Sequence, residues 1–428
     1  MLQTLRNAWN VAGIRKKILY TMMILVIFRI GAVAFPVPFL DPNALRSMLE
    51  GGQSLLGFVD MMSGGAFANA TIFAMSISPY ITSSIVIQLL SVAIPALEKL
   101  AKEGADGRKK LNRITRYTTV ALAAIQAFAY YILMKNMNAV SYTEGFSGVF
   151  AAIVIILMFT AGSMLVVWLG ELIDKNGIGN GISMILFAGI ISRTPHVIGT
   201  MVAYLKMGAK YYFFVPMVAV LFIALIAFII VMTNAERRIP VQYAKRVVGR
   251  KMYGGQSSHV PIKVNMSGVM PIIFASSILS IPGLIQGFVD PDASSIWGKI
   301  LGALGYNSWL YAILYFGLII LFNYFYVAIQ YNPVEMANNL RKNNGGIPGI
   351  RPGKPTTEYI SKVISRVTLV GAAFLGIIAI LPIIVGKMTG MNIALGGTSI
   401  IIVVGVALDT TRQLESQMMM RHYKGFLE

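Results

Sequence analysis

The strongest restriction on this chain is the recurrence of apolar runs long enough to cross a lipid bilayer. Residues 212–232 and 268–288 are two of them, and a hydrocarbon core of about 30 Å takes roughly 20 apolar residues in helical form. Ten such segments can be marked: 18–39, 72–96, 115–134, 149–169, 182–198, 212–232, 268–288, 309–329, 367–385 and 393–408. In lipid every backbone N–H and C=O must find a partner inside the protein, so continuous runs predict helices and not the alternating strands of a barrel. A length of 428 residues would otherwise suggest about three soluble domains. With 12% charged residues, about half the share of an ordinary soluble chain, that reading fails. Soluble enzymes, disordered tails and fibrous proteins are excluded. The expected class is an all-α polytopic membrane protein of ten transmembrane helices.

Two segments are irregular. The fifth is interrupted by Arg193, Pro195 and His196, and the tenth is short. The first imitates a secretory signal, with Arg15-Lys16-Lys17 before the apolar run and Ala32-Val33-Ala34 near its end. Arg29 lies inside that run and nine further spans follow, so it reads as a retained helix. Residues 1–17 precede it as an amphipathic cytoplasmic stretch with Leu2, Leu5 and Trp9 on the membrane surface.

Sign and position of charge set the orientation. The chain has 36 Lys and Arg against 17 Asp and Glu, a net +19 that taken whole would suggest a nucleic-acid partner. Sorted by alternate connections, 28 of the basic residues fall on one side and 7 on the other, with Arg29 inside a helix. The positive-inside rule then places both termini, including the tail 412–428, in the cytoplasm. Ten helices of even parity can divide into two five-helix halves of opposite orientation, 18–200 and 201–411. Pro79 and Pro271 fall inside the second helix of each half, and the fifth of each half is the weak or short one. Interrupted segments at matching positions of inverted repeats mark a transport path, yet prolines are common in membrane helices anyway. The two readings weigh about evenly. On the first, helices 2, 5, 7 and 10 line the path.

Chemistry is sparse. There is no cysteine, so disulfides, thiolate metal sites and cysteine nucleophiles drop out. His196, His259 and His422 show no metal-ligand spacing, and Gly353-Lys354 is followed by Pro355 and forms no phosphate loop. Gly177-Ile178-Gly179-Asn180-Gly181 follows no strand and reads as a helix-start turn. No catalytic constellation, metal site or cofactor is indicated. Arg29 is either functional or a side chain that snorkels or bonds neighbouring carbonyls, with the second weighing more. Asp409 marks the cytoplasmic end of the last helix.

Ile81 and Ile85, like Ile182 and Leu186, sit four apart on one helix face. They are lipid-facing or packing residues, or part of a constriction that excludes water by dewetting. The stretch 55–67 is apolar, Met-rich and broken by glycines. It should fold back into the protein, because irregular backbone at membrane depth must be buried or line a water path. A movable plug and a static lid both fit. Two cytoplasmic connections are long and basic. In 233–266, Arg237, Arg238, Lys245, Arg246, Arg250 and Lys251 surround a hairpin-like pattern. In 330–366, Asn332-Pro333 starts a short helix, Gly345-Gly346 ends it, and Arg351 follows. Loops of this length are usually functional or disordered. They suit an acidic or RNA-containing partner, or anionic lipid.

Five stretches together resemble the SecY family, central subunit of the bacterial protein-translocation channel: Ser78-Pro79-Tyr80-Ile81 through Gln88-Leu89-Leu90; Asn176-Gly177-Ile178-Gly179-Asn180-Gly181-Ile182-Ser183; Lys263-Val264-Asn265-Met266-Ser267-Gly268-Val269-Met270-Pro271; Pro348-Gly349-Ile350-Arg351-Pro352-Gly353; and Gly396-Gly397-Thr398-Ser399. The resemblance implies two five-helix halves clasped as a clamshell around a pore, with a lateral opening between helices 2 and 7. It puts an apolar ring on Ile81, Ile85, Ile182, Leu186, Ile273 and Ile402. A plug would comprise Gly57, Phe58, Val59, Asp60, Met61, Met62, Ser63, Gly64, Gly65 and Ala66. Ser83, Ser84, Gln88, Ser276 and Ser277 would lie at or near the lateral gate. The basic loops would dock the ribosome and the motor SecA, Arg351 foremost, with SecE and SecG as further subunits. A preprotein with its signal peptide would be the cargo. One departure is visible: the family commonly reads Gly-Ile-Met-Pro-Tyr where this chain has Ser76-Ile77-Ser78-Pro79-Tyr80.

Three functions follow as alternatives. A passive polypeptide channel would use a partner's energy. A small-solute transporter would need an intramembrane ion-coupling carboxylate, which this sequence lacks: the ten apolar cores hold no acidic residue except Asp409, at the very end of the last. An assembly scaffold would pass nothing.

Overall fold

A computed structural model of the chain describes residues 6, 8–50, 60, 63–136, 138–243, 246–248, 251–253, 257–289, 308–390 and 397–424. The elements are α1 Ala12–Ala34, α2 Pro42–Glu50, α3 Ser78–Ala93, α4 Pro95–Lys102, α5 Ala105–Asn136, α6 Gly145–Asn176, α7 Gly181–Met207 and α8 Ala209–Asn234. Strands β1 Glu236–Tyr243, β2 Arg246–Val248, β3 Lys251–Tyr253 and β4 Ser257–Lys263 follow. The chain continues through α9 Met270–Val289, α10 Trp309–Gln330, α11 Pro333–Lys342, β5 Gly345–Gly346, α12 Lys354–Thr389 and α13 Gly397–Lys424.

Each of the ten expected segments holds a helix. Among the described residues seven helices are individually long and apolar enough to cross a membrane, with an eighth when the pair α3 and α4, bent by 106°, is counted as one span. The second segment is corrected. Residues 72–77 are turns, and the helix begins only at Ser78. Pro79 therefore lies in the first turn of α3, and Pro271 in the first turn of α9, so neither is internal. A first-turn proline removes an N–H that would have had no helical partner, and its fixed φ suits the helix. The recurrence at matching positions stands, but as a pair of helix starts. The fifth segment is corrected too, because α7 runs unbroken through Arg193, Pro195 and His196 to Met207. The tenth continues past Asp409 to Lys424.

The chain forms two compact units. One comprises 1–218, 277–311 and 382–428. Within it α3 packs on α5, α5 on α6, α6 on α7, and α7 on α13, while α1 touches both α6 and α7. An apolar cluster in it joins Phe67, Ala74 and Met75 of the irregular stretch to Tyr130 and Met134 of α5 and to Ile155 and Phe159 of α6. Gly162 makes room for this: a Cβ there would collide with the Ile72 carbonyl. The turns at 63–77 thus pass against bare helix backbone.

The other unit comprises 219–276 and 312–381. The expected hairpin is present, β1 pairing antiparallel with β4 so that Ile239 faces Val260. Ile239 and Val241 alternate inward on β1, as a half-buried strand requires. Gly345-Gly346, expected only to end a helix, also pairs with β1. Helix α11 starts as read from sequence, Asn332 accepting from Val334 N–H (3.1 Å) and Pro333 following. Ile239, Ile262, Ala337, Ile347 and Ile360 close a small core under the sheet. Asn323 of α10 bonds Ser267 and donates to the Thr368 carbonyl (2.9 Å), tying α10 to α12.

Candidate functional site

The glycine-rich turn before α7 fixes the register of that helix. Ile178 N–H donates to Thr21 Oγ1 of α1 (3.0 Å), Gly179 N–H to Gln413 Oε1 of α13 (2.7 Å), and Gly181 N–H to Asp174 Oδ1 of α6 (2.7 Å). Asn180 caps the helix by accepting from Ser183 N–H (3.1 Å). Three helices thus clasp the start of α7, satisfying donors that a helix N-terminus leaves free. From this start, Ile182, Leu186, Gly189 and Arg193 follow at intervals of four, three and four, which places them in one stripe along α7.

The aliphatic positions named from sequence are buried or nearly so. Ile81 and Ile85 share a face of α3, Leu186 and Ile402 are buried on α7 and α13, and Ile182 is half-buried. These five lie in one unit. Ile273, buried on α9, lies in the other.

The described part of the stretch 57–66 folds inward, as its composition requires. Asp60, Ser63, Gly64, Gly65 and Ala66 are buried, while 57–59, 61 and 62 lie outside the described residues. Asp60 organises a tight turn: its carbonyl accepts from Gly65 N–H (2.8 Å) and Ser63 Oγ (3.0 Å), and its Oδ1 from Ala68 N–H (2.7 Å). Its other carboxylate oxygen pairs with Arg193 of α7, the two side chains only 8% and 23% exposed. Arg29 of α1 donates to the Gly64 carbonyl and to Ser192 Oγ (3.0 Å). The carbonyl-bonding reading of Arg29 therefore holds. The segment comes close to α7 because it presents glycines. A Cβ on Gly64 would stand 3.0 Å from Gly189 Cα, and one on Gly65 3.1 Å from Arg193 Cζ. Both glycines have positive φ (+68° and +90°), a region side chains rarely adopt.

Sequence reasoning missed Arg193, which was noted only as an interruption. The signal was available: an arginine inside an apolar span needs a partner, and Asp60 is the only acidic residue of the apolar stretch 55–67.

Among the polar positions, Ser83 is buried against α5, donating to the Thr115 carbonyl (2.8 Å) and meeting Thr118 Oγ1. Ser84 and Gln88 are half-buried on α3, and Ser276 Oγ donates to the Ile273 carbonyl (2.9 Å) on α9. Ser277 is half-buried one residue on. Of the basic positions, Arg237 and Arg238 are exposed on β1, Arg238 pairing with Glu236 (2.7 Å). Arg351 is exposed at the turn before α12. Arg246 and Lys251 fall on the paired strands β2 and β3, and Lys245 and Arg250 lie outside the described residues.

Comparison with known proteins gives the family and the fold. Residues 71–411 match the family model of SecY. The chain is 41% identical to the protein translocase subunit SecY of Streptomyces galbus and to that of Mycobacterium tuberculosis, each alignment covering all of both chains. Among solved structures, a protein-conducting channel superposes with a TM-score of 0.65 at 18% identity, covering 94% of this chain and 92% of that one. A SecY whose plug domain is described as stabilising the closed state of its channel gives 0.66 at 18% identity and the same coverage. The channel Sec61 from a canine ribosome–channel complex gives 0.60 at 16%, again covering 94% and 92%. The fold is that of the protein-conducting channels, ten helices in two inverted halves, and the chain belongs to the SecY family of protein translocase subunits.

Proposed function

We propose that this translocase subunit conducts unfolded secretory polypeptide through the ring of Ile81, Ile85, Ile182, Leu186, Ile273 and Ile402 and releases apolar segments sideways into lipid. The observation that carries this reading is the stripe on α7. Ile182 and Leu186 share it with Gly189 and Arg193, against which the re-entrant segment packs. A constriction and its stopper lie end to end on one helix face. Aliphatic side chains suit the task, since they exclude water and ions by dewetting and carry no hydrogen-bond preference for one cargo sequence over another.

The stretch 57–66 acts as the plug, and Ser83, Ser84, Gln88, Ser276 and Ser277 belong to the lateral gate. The two halves that clasp the pore are 18–200 and 201–411. The chain carries out no chemistry itself, so the work comes from a partner: SecA or a ribosome docks on Arg237, Arg238, Lys245, Arg246, Arg250, Lys251 and Arg351. SecE and SecG complete the complex in a bacterial plasma membrane, with both termini cytoplasmic. The solved relative in a ribosome–channel complex supports a ribosome partner, and 28 basic residues on one side support the orientation.

Because the chain has no cysteine, the test is direct. Single cysteines at Ile81, Ile273 and Ile402 are expected to crosslink to a stalled secretory chain. A stalled chain that reaches lipid or other helices but none of these three overturns the channel.

A further inference from the structure

The re-entrant stretch is built in two parts. Its C-terminal part is anchored. Phe67 is 1% exposed and packs on Tyr130 of α5 with ring centroids 5.5 Å apart. Val37 N–H donates to the Ala70 carbonyl (2.8 Å) and Ile72 N–H to the Phe35 carbonyl (3.1 Å), stitching 70–72 to the chain after α1. Its N-terminal part is held differently. Among the described residues of this part, Ser63, Gly64 and Gly65 bring no apolar side chain to α7, and the bonds that join it to the helices are polar: Asp60 on Arg193, and Arg29 on the Gly64 carbonyl.

We propose that Arg193 and Arg29 are positioning residues that hold the plug by a releasable ionic latch, with Asp60 as its counter-charge; this rests on the plug reading of 57–66. Chemistry explains the choice of a charge pair over an apolar contact. A buried ion pair gives little net stability over well-packed apolar side chains, because both ions lose their hydration. Its value lies in the released state, where carboxylate and guanidinium are each well solvated by the water path. An apolar contact in that place would expose a sticky surface to every apolar segment passing the ring. Removing only one partner has a different effect, since the docked state then buries an uncompensated charge.

The test uses the full chain with its partner subunits in proteoliposomes, read by potassium and chloride efflux without cargo. Asp60→Asn and Arg193→Gln are each expected to shift the released-to-docked ratio roughly a hundredfold or more, so resting leak rises. The double variant Asp60→Asn/Arg193→Gln removes the pair together, leaves the site with the parent's net charge on Arg29, and is expected to leak less than either single. Singles as tight as the parent overturn the latch, as does a double variant whose leak combines those of the singles. Arg193→Lys keeps the charge but loses the planar fork. It is expected to leak less than Arg193→Gln, and supplies the comparison if a neutral variant fails to accumulate in the membrane. Failed crosslinking at the ring would sink the channel reading, whereas normal crosslinking without rescue in the double variant sinks only the latch.

Discussion

At Ser76 the backbone takes φ +47°, a conformation glycine adopts freely and a side chain adopts at a cost of about 1–2 kcal/mol. The serine adds a second cost, because its Oγ is buried with no hydrogen-bond partner among the described residues. The left-handed turn survives because its surroundings hold it: Ser76 N–H donates to the Phe73 carbonyl (2.8 Å), and its own carbonyl accepts from Ser163 Oγ (3.2 Å). Ser76→Gly relieves both costs, against the added freedom of glycine in the unfolded chain. It is expected to stabilise the protein by about 1 kcal/mol, seen as a higher unfolding temperature in detergent. Ser76→Val is expected to lower it. The sequence marked this position as a departure but could not reveal the φ, which depends on where Pro79 starts the next helix. Asp60 and Arg193 were hidden for a related reason. They lie 133 positions apart, and no local period connects an acid in a loop to a base in a distant helix.

At the scale of elements, hydrophobic length was the readable quantity. All ten apolar segments hold helices, and the alternation around Val241 and Val260 was legible as a hairpin. Boundaries were not legible, because an apolar residue satisfies a buried turn as well as a buried helix; Phe73, Ala74 and Met75 show this. In α7, Pro195 suggested a break, yet a membrane helix tolerates the lost N–H when its surroundings supply other partners. Caps were more informative than length. Asn332 accepts from the N–H groups of Val334 and Glu335, and Asn332→Ala is expected to cost about 1 kcal/mol. The loss should stay local, raising protease cleavage within 330–366 while leaving the membrane helices intact. Equal protection in parent and variant would show that β5 and the core under the sheet hold α11 without its cap.

For the whole molecule the decisive pattern is charge sorted by side. Sorted by alternate connections along the chain, 28 of the basic residues that made +19 suggest a nucleic-acid binder fall on the proposed cytoplasmic side, with 10 acidic residues. Arg351 is exposed and belongs to that side on the proposed orientation. Arg351→Glu is expected to reduce motor-driven translocation by an order of magnitude or more, since a reversed charge in a complementary interface costs several kcal/mol. Unchanged translocation by a folded variant would remove Arg351 from the docking surface. The aliphatic ring predicts the converse behaviour. Replacing Ile81 and Ile402 with serine should raise ion conductance with docking unaffected, and conductance equal to the parent would count against a dewetting seal. The buried carboxylate of Asp60 has one more consequence. On the proposed plug reading this charge lies within the membrane and feels the electrical potential of the cell, so any displacement along the bilayer normal does electrical work. The full potential acts on one charge with about 2.3 kcal/mol per 100 mV, and half the field with about 1.2. Release separates the ion pair into water, where both ions are solvated, so its net cost is small. A swing of 100 mV is therefore expected to shift the docked-to-released ratio by about tenfold or less, and resting leak should follow the membrane potential.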